Sequence, residues 1–228
     1  MRDTRLAVHP VHTNPVHAGP GRSPDADARL QASRRLDWRF LLPDPALGRV
    51  AYVGAAQPAL IEALQLLAAQ VDLWTAASSG AENALPGSPD AYGLVVAHAP
   101  AAGAFEATLR QAAALLRPGG TLYLETRGRL TRRLAALRRV GLANVAAYWI
   151  WPNFAACTKI IPVAHLATVA QFEGARLNRW GVGRLLPRLA RSRLAHDIIP
   201  YLGIVAQRPS GNDSLDPGLD RSLNGGLR

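Results

Sequence analysis

RVAYVGAAQPALIEAL, from Arg49 to Leu64, carries three local signals in sixteen residues. RVAYVG (49–54) is short, β-branched and aromatic, and it ends at glycine, the pattern of a buried strand. Pro58 suits the first turn of a helix, where a missing N–H breaks no hydrogen bond. Leu60, Ile61, Leu64 and Leu67 then recur at helical spacing. A strand, a turn at Gly54 and an amphipathic helix usually carry a nucleotide-type ligand. Close approach of the backbone to such a ligand calls for two or three residues without a β-carbon. This turn has one glycine, followed by Ala55, Ala56, Gln57 and Pro58.

The same alternation continues along the chain. VDLWT (71–75) reads as a second strand and GLVVAHA (93–99) as a third, with a loop between them that has room for a short edge strand. Phe105, Leu109, Ala112 and Leu116 share one helical face, and RPGG (117–120) supplies the stop signals that end that helix. TLYLE (121–125) is a strand, Arg129 to Val140 a helix ended by Gly141, and NVAAYWIW (144–151) a strand of high β-propensity. Val182, Leu185, Leu186 and Leu189 mark a further helix, and IIPYLGIVAQR (198–208) a last strand, which can pair antiparallel after so long an excursion. Strands alternating with helices predict right-handed crossovers and a mainly parallel sheet with helices on both faces.

Composition narrows the function classes. At 228 residues the chain suits one domain with extra end segments. Residues 1–30 and 209–228 read as a flexible leader and tail, with residues 31–208 as the folded unit. No apolar run of about 20 residues predicts a membrane span, and the amino-terminal stretch lacks a signal-peptide core. A single cysteine, Cys157, makes a reducing cytoplasm the expected location. The formal charge of +10 invites a nucleic-acid reading. Against it, Lys159 is the one lysine among 26 basic residues, so the charge reflects arginine usage across the whole chain. Arg129, Arg132, Arg133, Arg138 and Arg139 fall opposite the stripe Leu130, Leu134, Leu137, as a solvated helix face does. Nucleic acid is therefore not the expected partner.

LLRPGGTLYLE (115–125), a helix ending in Leu-Arg-Pro-Gly-Gly and running into an apolar strand, resembles the fourth-to-fifth strand region of class I S-adenosylmethionine-dependent methyltransferases. RRVGLANVAAYW resembles that family's next helix and strand, and the order of elements from Arg49 to Arg208 fits its seven-stranded Rossmann-like sheet. DWRFLLP (37–43) and WPNFAACTKIIPV (151–163) are similar to stretches of a bacterial subgroup. The resemblance covers about three quarters of the chain. It implies S-adenosylmethionine as cofactor and Gly54, Ala55, Ala56, Asp72, Thr75 and Ala97 as the residues around it.

The family's loop pattern is altered here. An acidic residue normally precedes a Gly-x-Gly-x-Gly turn. Tyr52 stands in the acidic place, Gly54 matches the first glycine, Ala56 replaces the second and Pro58 the third. The acid that grips the ribose normally lies at the end of strand two. That position is Thr75, and Asp72 lies earlier in the strand. An alanine forced to positive φ costs about 1–2 kcal/mol. A lost charge-assisted hydrogen bond costs about 1.5–3 kcal/mol. Together they predict a cofactor bound at least two decades more weakly.

His98 ends the third strand, on the side where open α/β sheets bind ligands, and is the candidate general base. The plainer reading is a histidine hydrogen-bonded at a strand end. Tyr148, Trp149, Trp151 and Phe154 could roof a flat acceptor or simply be core, with Trp149 and Trp151 on one face and Tyr148 on the other. Cys157 reads as a small buried residue rather than a nucleophile. AHAP stands where an Asn-Pro-Pro-aromatic sequence would mark amino-methyltransferases of adenine or glutamine. No metal-ligand spacing is present; His9, His12 and His17 fall in the expected leader. The sequence thus predicts methyl transfer to a small molecule. The alternatives are a methyltransferase-like domain that has lost the cofactor and serves as a binding or assembly partner, or a different reaction in the same pocket.

Overall fold

The structure, a computed structural model, describes residues 24–75, 90–99, 102–169, 171 and 199–210. Helix α1 (Pro24–Arg35) and a 3-10 turn (Asp37–Leu41) lead into β1 (Arg49–Gly54), α2 (Pro58–Leu67) and β2 (Gln70–Thr75). β3 (Tyr92–Ala99), α3 (Ala102–Leu115), β4 (Leu116–Thr126), α4 (Leu130–Arg139) and β5 (Ala143–Trp151) follow. A short β6 (Lys159–Pro162) and a final β7 (Leu202–Gln207) complete the sheet.

The seven strands lie in the order β2-β1-β3-β4-β7-β5-β6. β1 pairs parallel with β2 and β3, and β3 with β4. β7 inserts antiparallel between β4 and β5, and β6 pairs antiparallel with β5. Parallel and antiparallel pairings are thus equal in number, although five strands run one way and only β6 and β7 oppose them. The antiparallel last strand agrees with the sequence expectation, as does the sandwich of helices on both faces.

Strand alternation builds those two faces. Ala51, Val53, Val95, Ala97, Leu122 and Leu124 join Phe105 and Leu109 of α3 and Leu137 of α4 in one core. Val50, Tyr52, Val96 and Tyr123 join Leu36, Trp38, Leu60 and Leu64 in the other, under α1 and α2. His98 and Glu125 continue the second set of positions, which brings both to the carboxyl ends of their strands on the α1 side. There His98 lies opposite Gly54 on one side and Glu125 on the other.

Four sequence readings are changed. RPGG does not separate helix from strand: α3 passes directly into β4, which contains Arg117 to Gly120, with an irregular register against β3 and Gly119 at φ +75°. The glycines relieve a bent strand start instead of capping a helix. TKIIPV forms an unforeseen hairpin strand, β6. Helix α1 begins at Pro24, inside the stretch read as leader. Arg133 is buried, not solvated: its guanidinium lies 3.9 Å from the Phe105 ring centroid and donates to the Arg127 carbonyl at 2.7 and 3.2 Å. Residues 1–23, the expected edge strand between β2 and β3, the helix around Val182–Leu189 and residues 211–228 lie outside the described residues.

Candidate functional site at the carboxyl ends of β1, β3 and β4

Gly54 adopts φ +107°, and a β-carbon there would stand 2.4 Å from the His98 carbonyl oxygen. The turn is fastened from within. The Ala55 N–H donates to that same carbonyl at 3.0 Å, and the Tyr52 hydroxyl donates to the Ala55 carbonyl at 2.6 Å. These two bonds close the loop. Burial pushes the Tyr52 phenol well above its ordinary value, aided by the Glu125 charge, so it remains a neutral donor. Ala55 and Ala56 are exposed.

Next to this turn lies a buried ionic cluster assembled from three elements. Arg35, the last residue of α1, binds both oxygens of Glu125 at 2.6 and 2.7 Å. One of its terminal nitrogens also donates to the Gln57 side chain at 3.0 Å. His98 Nδ1 lies 3.3 Å from the second Glu125 oxygen, and the Tyr123 hydroxyl donates to the first at 3.5 Å. Glu125 has no exposed surface, and Arg35 and His98 are nearly as buried. Burial alone would raise the glutamate's pKa; hydrogen bonds from His98 and Arg35 and their charges outweigh it and hold the carboxyl below its ordinary value. Burial likewise opposes the Arg35 charge, and Glu125 more than restores it.

Aromatic rings cover the cluster. Trp38 stacks on Tyr123 with centroids 3.8 Å apart, and Phe154 meets both His98 and Tyr201 edge to face. A cavity of about 10 Å³ between Arg35, Trp38, Phe154 and Cys157 has room for one water at most. The Arg35 Nε and the Trp38 indole N–H have no partner among the described residues. A hollow of about 560 Å³ beside Arg49, Gly93 and Arg117 lies at the amino ends of the strands. That is the end opposite the one where open α/β sheets bind ligands.

The sequence-derived residues are only partly brought together. Gly54, Thr75 and His98 meet at the strand ends, since Gly54 pairs in register with both of the others. Ala97 is buried in the core under α3, on the other face. Asp72 lies three residues before Thr75 and accepts from Tyr92 at 2.7 Å, Arg49 at 2.8 Å and Gln70 at 3.0 Å. Trp149 and Trp151 share a face, their rings 5.2 Å apart edge to face, and Tyr148 packs with the opposite core. Cys157 is half-buried, its thiol pushed up by burial. Sequence reading missed Arg35 and Glu125. One signal was available: Glu125 is the only acidic residue between Glu106 and Glu173, and it ends a strand.

No family model and no curated protein matches the chain. Solved structures do. A SAM-dependent methyltransferase of Thermotoga maritima is 9% identical over 79% of this chain and 90% of its own, with a TM-score of 0.43. A predicted O-methyltransferase of Agrobacterium tumefaciens is 16% identical over 81% of each chain, with a TM-score of 0.40. A Haloferax volcanii methyltransferase solved with its Trm112 activator is 14% identical, over 81% of this chain and 93% of that one, also at 0.40. By the order and directions of its strands the chain is a seven-stranded, Rossmann-like α/β sandwich. Among the described residues no helix is long and apolar enough to cross a membrane.

Proposed function

We propose that the chain is an S-adenosylmethionine-dependent methyltransferase acting on a small molecule, with His98 as its general base. The observation that carries this reading is the His98–Glu125 pair at the strand ends, next to the left-handed Gly54 turn. A base oriented by a carboxylate is the arrangement that general-base catalysis uses. Ala55 and Ala56 of the turn are open to solvent, where the cofactor would lie, whereas the missing β-carbon of Gly54 makes room for the His98 carbonyl. Gly54 to Ala56 would hold its methionine part, and Thr75 its ribose. When bound, the cofactor supplies an activated methyl group. The protein's share is to hold the acceptor in line and to take its proton on the imidazole. The turn fits poorly in hydrogen bonding, because the Ala55 amide is engaged by the His98 carbonyl and the Ala55 carbonyl by the Tyr52 hydroxyl. The expected affinity is therefore micromolar or weaker, about −8 kcal/mol or less favourable.

That internal engagement favours a second reading, a domain that no longer binds the cofactor and serves a protein partner. Calorimetric titration with S-adenosylmethionine and S-adenosylhomocysteine separates the two. Saturable binding that tightens in Ala56→Gly supports the enzyme. No heat at millimolar cofactor, in the wild type and in Ala56→Gly alike, establishes the second reading and removes the proposed role of His98.

A further inference from the structure

We propose that Arg35 is a positioning residue: by keeping Glu125 ionised in the closed core, it places the ring proton of His98 on Nδ1 and leaves Nε2 as the basic nitrogen. The use of that nitrogen in catalysis rests on the reading of His98 as the base; the tautomer itself does not.

The tautomer follows from what each group can donate. Glu125 is fully buried, and a buried carboxylate without a cation takes up a proton. Arg35 reaches from α1 to both of its oxygens, at 2.6 and 2.7 Å, across 90 residues of sequence. The other groups facing the carboxylate are Tyr123 from β4, a neutral donor, and His98 from β3. An ionised carboxylate only accepts hydrogen bonds. The hydrogen in the 3.3 Å contact between Nδ1 and Glu125 therefore belongs to the imidazole. A neutral imidazole has one ring hydrogen, so Nε2 keeps its lone pair.

Without Arg35 the logic reverses. Glu125 takes a proton from solvent and becomes an O–H donor. Nδ1 then accepts, the ring hydrogen moves to Nε2, and the imidazole loses its base at that atom. Arg35 thus acts on His98 through Glu125, and α1 is part of the site.

The test is nitrogen-15 NMR of the full chain with labelled histidine, at a pH where the imidazole is neutral. The chain has six histidines, and a His98→Gln variant assigns the signal. The expected wild-type spectrum has a protonated Nδ1 and a bare Nε2. Arg35→Met should exchange the two shifts, and Arg35→Lys, which keeps the cation, should restore the wild-type pattern. A protonated Nε2 in the wild type overturns the proposal, as does an unchanged tautomer in Arg35→Met. If Arg35→Met does not fold, the wild-type spectrum alone decides. A protein that binds no cofactor yet shows the Nδ1 tautomer refutes the enzyme reading and leaves this one standing. The opposite tautomer in a protein that does bind cofactor does the reverse.

Discussion

At Gly54 geometry and chemistry meet in one atom that is not there. An added β-carbon would lie 2.4 Å from the His98 carbonyl and 2.9 Å from a Thr108 methyl, on a backbone at φ +107°. The first contact is with backbone, which cannot swing aside. Gly54→Ala should therefore cost at least the 1–2 kcal/mol of a left-handed alanine, and Gly54→Val more, because its branched side chain enters the same gap. Urea midpoints check this, and a midpoint unchanged in Gly54→Ala refutes it. The need for glycine here was legible in the sequence, since a strand has to turn into a helix at that point. The function of Tyr52 was not. In sequence it appears as a missing acid, whereas in the fold its hydroxyl donates to the Ala55 carbonyl inside the turn.

At the scale of elements, periodicity foretold the strands and helices that alternate cleanly and failed where tertiary contacts override local signals. The pattern on α4 put Arg133 among the solvated arginines, because a helical wheel sees only its own helix. Phe105 of α3 and the Arg127 carbonyl draw that guanidinium inward. Burial opposes its charge, and its pKa is lowered. A lysine in its place keeps the charge but loses the flat stack and the fork of donors. Arg133→Lys should lower stability by about 1 kcal/mol, the scale of a cation–π contact with its hydrogen bonds. Arg132→Lys, on the exposed side of the same helix, should stay within about 0.5 kcal/mol of the wild type. Equal thermal midpoints for the two variants would mean that the buried stack contributes nothing. Likewise, α1 was obscured by composition. With 25 arginines in the chain, no local feature distinguishes the one that pairs with a glutamate 90 residues away.

Over the whole molecule, the Arg35–Glu125 pair ties α1 to the sheet by charge, and this makes folding pH-dependent in a calculable direction. Glu125 has a folded pKa below its ordinary value. Its contribution to stability is therefore complete above the unfolded value of about 4.3 and is lost as the pH falls through the lower folded value. Arg35 keeps its charge across that range. Asp72, held down by Tyr92 and Arg49, adds a loss of the same sign at the other end of the sheet. Two variants separate the contributions. Glu125→Gln should be less stable at neutral pH and should lose less on acidification, and the slope that remains should include the share of Asp72. Arg35→Met forces the buried Glu125 to take up a proton, so it should be destabilising by about 3–5 kcal/mol at neutral pH. The double variant Arg35→Met/Glu125→Gln should recover part of that, because a neutral glutamine does not have to take up a proton. Urea denaturation of the four proteins at neutral and acidic pH measures both effects. Additive losses in the double variant, or a Glu125→Gln acid slope equal to the wild type's, would show that this pair does not fasten α1 to the sheet.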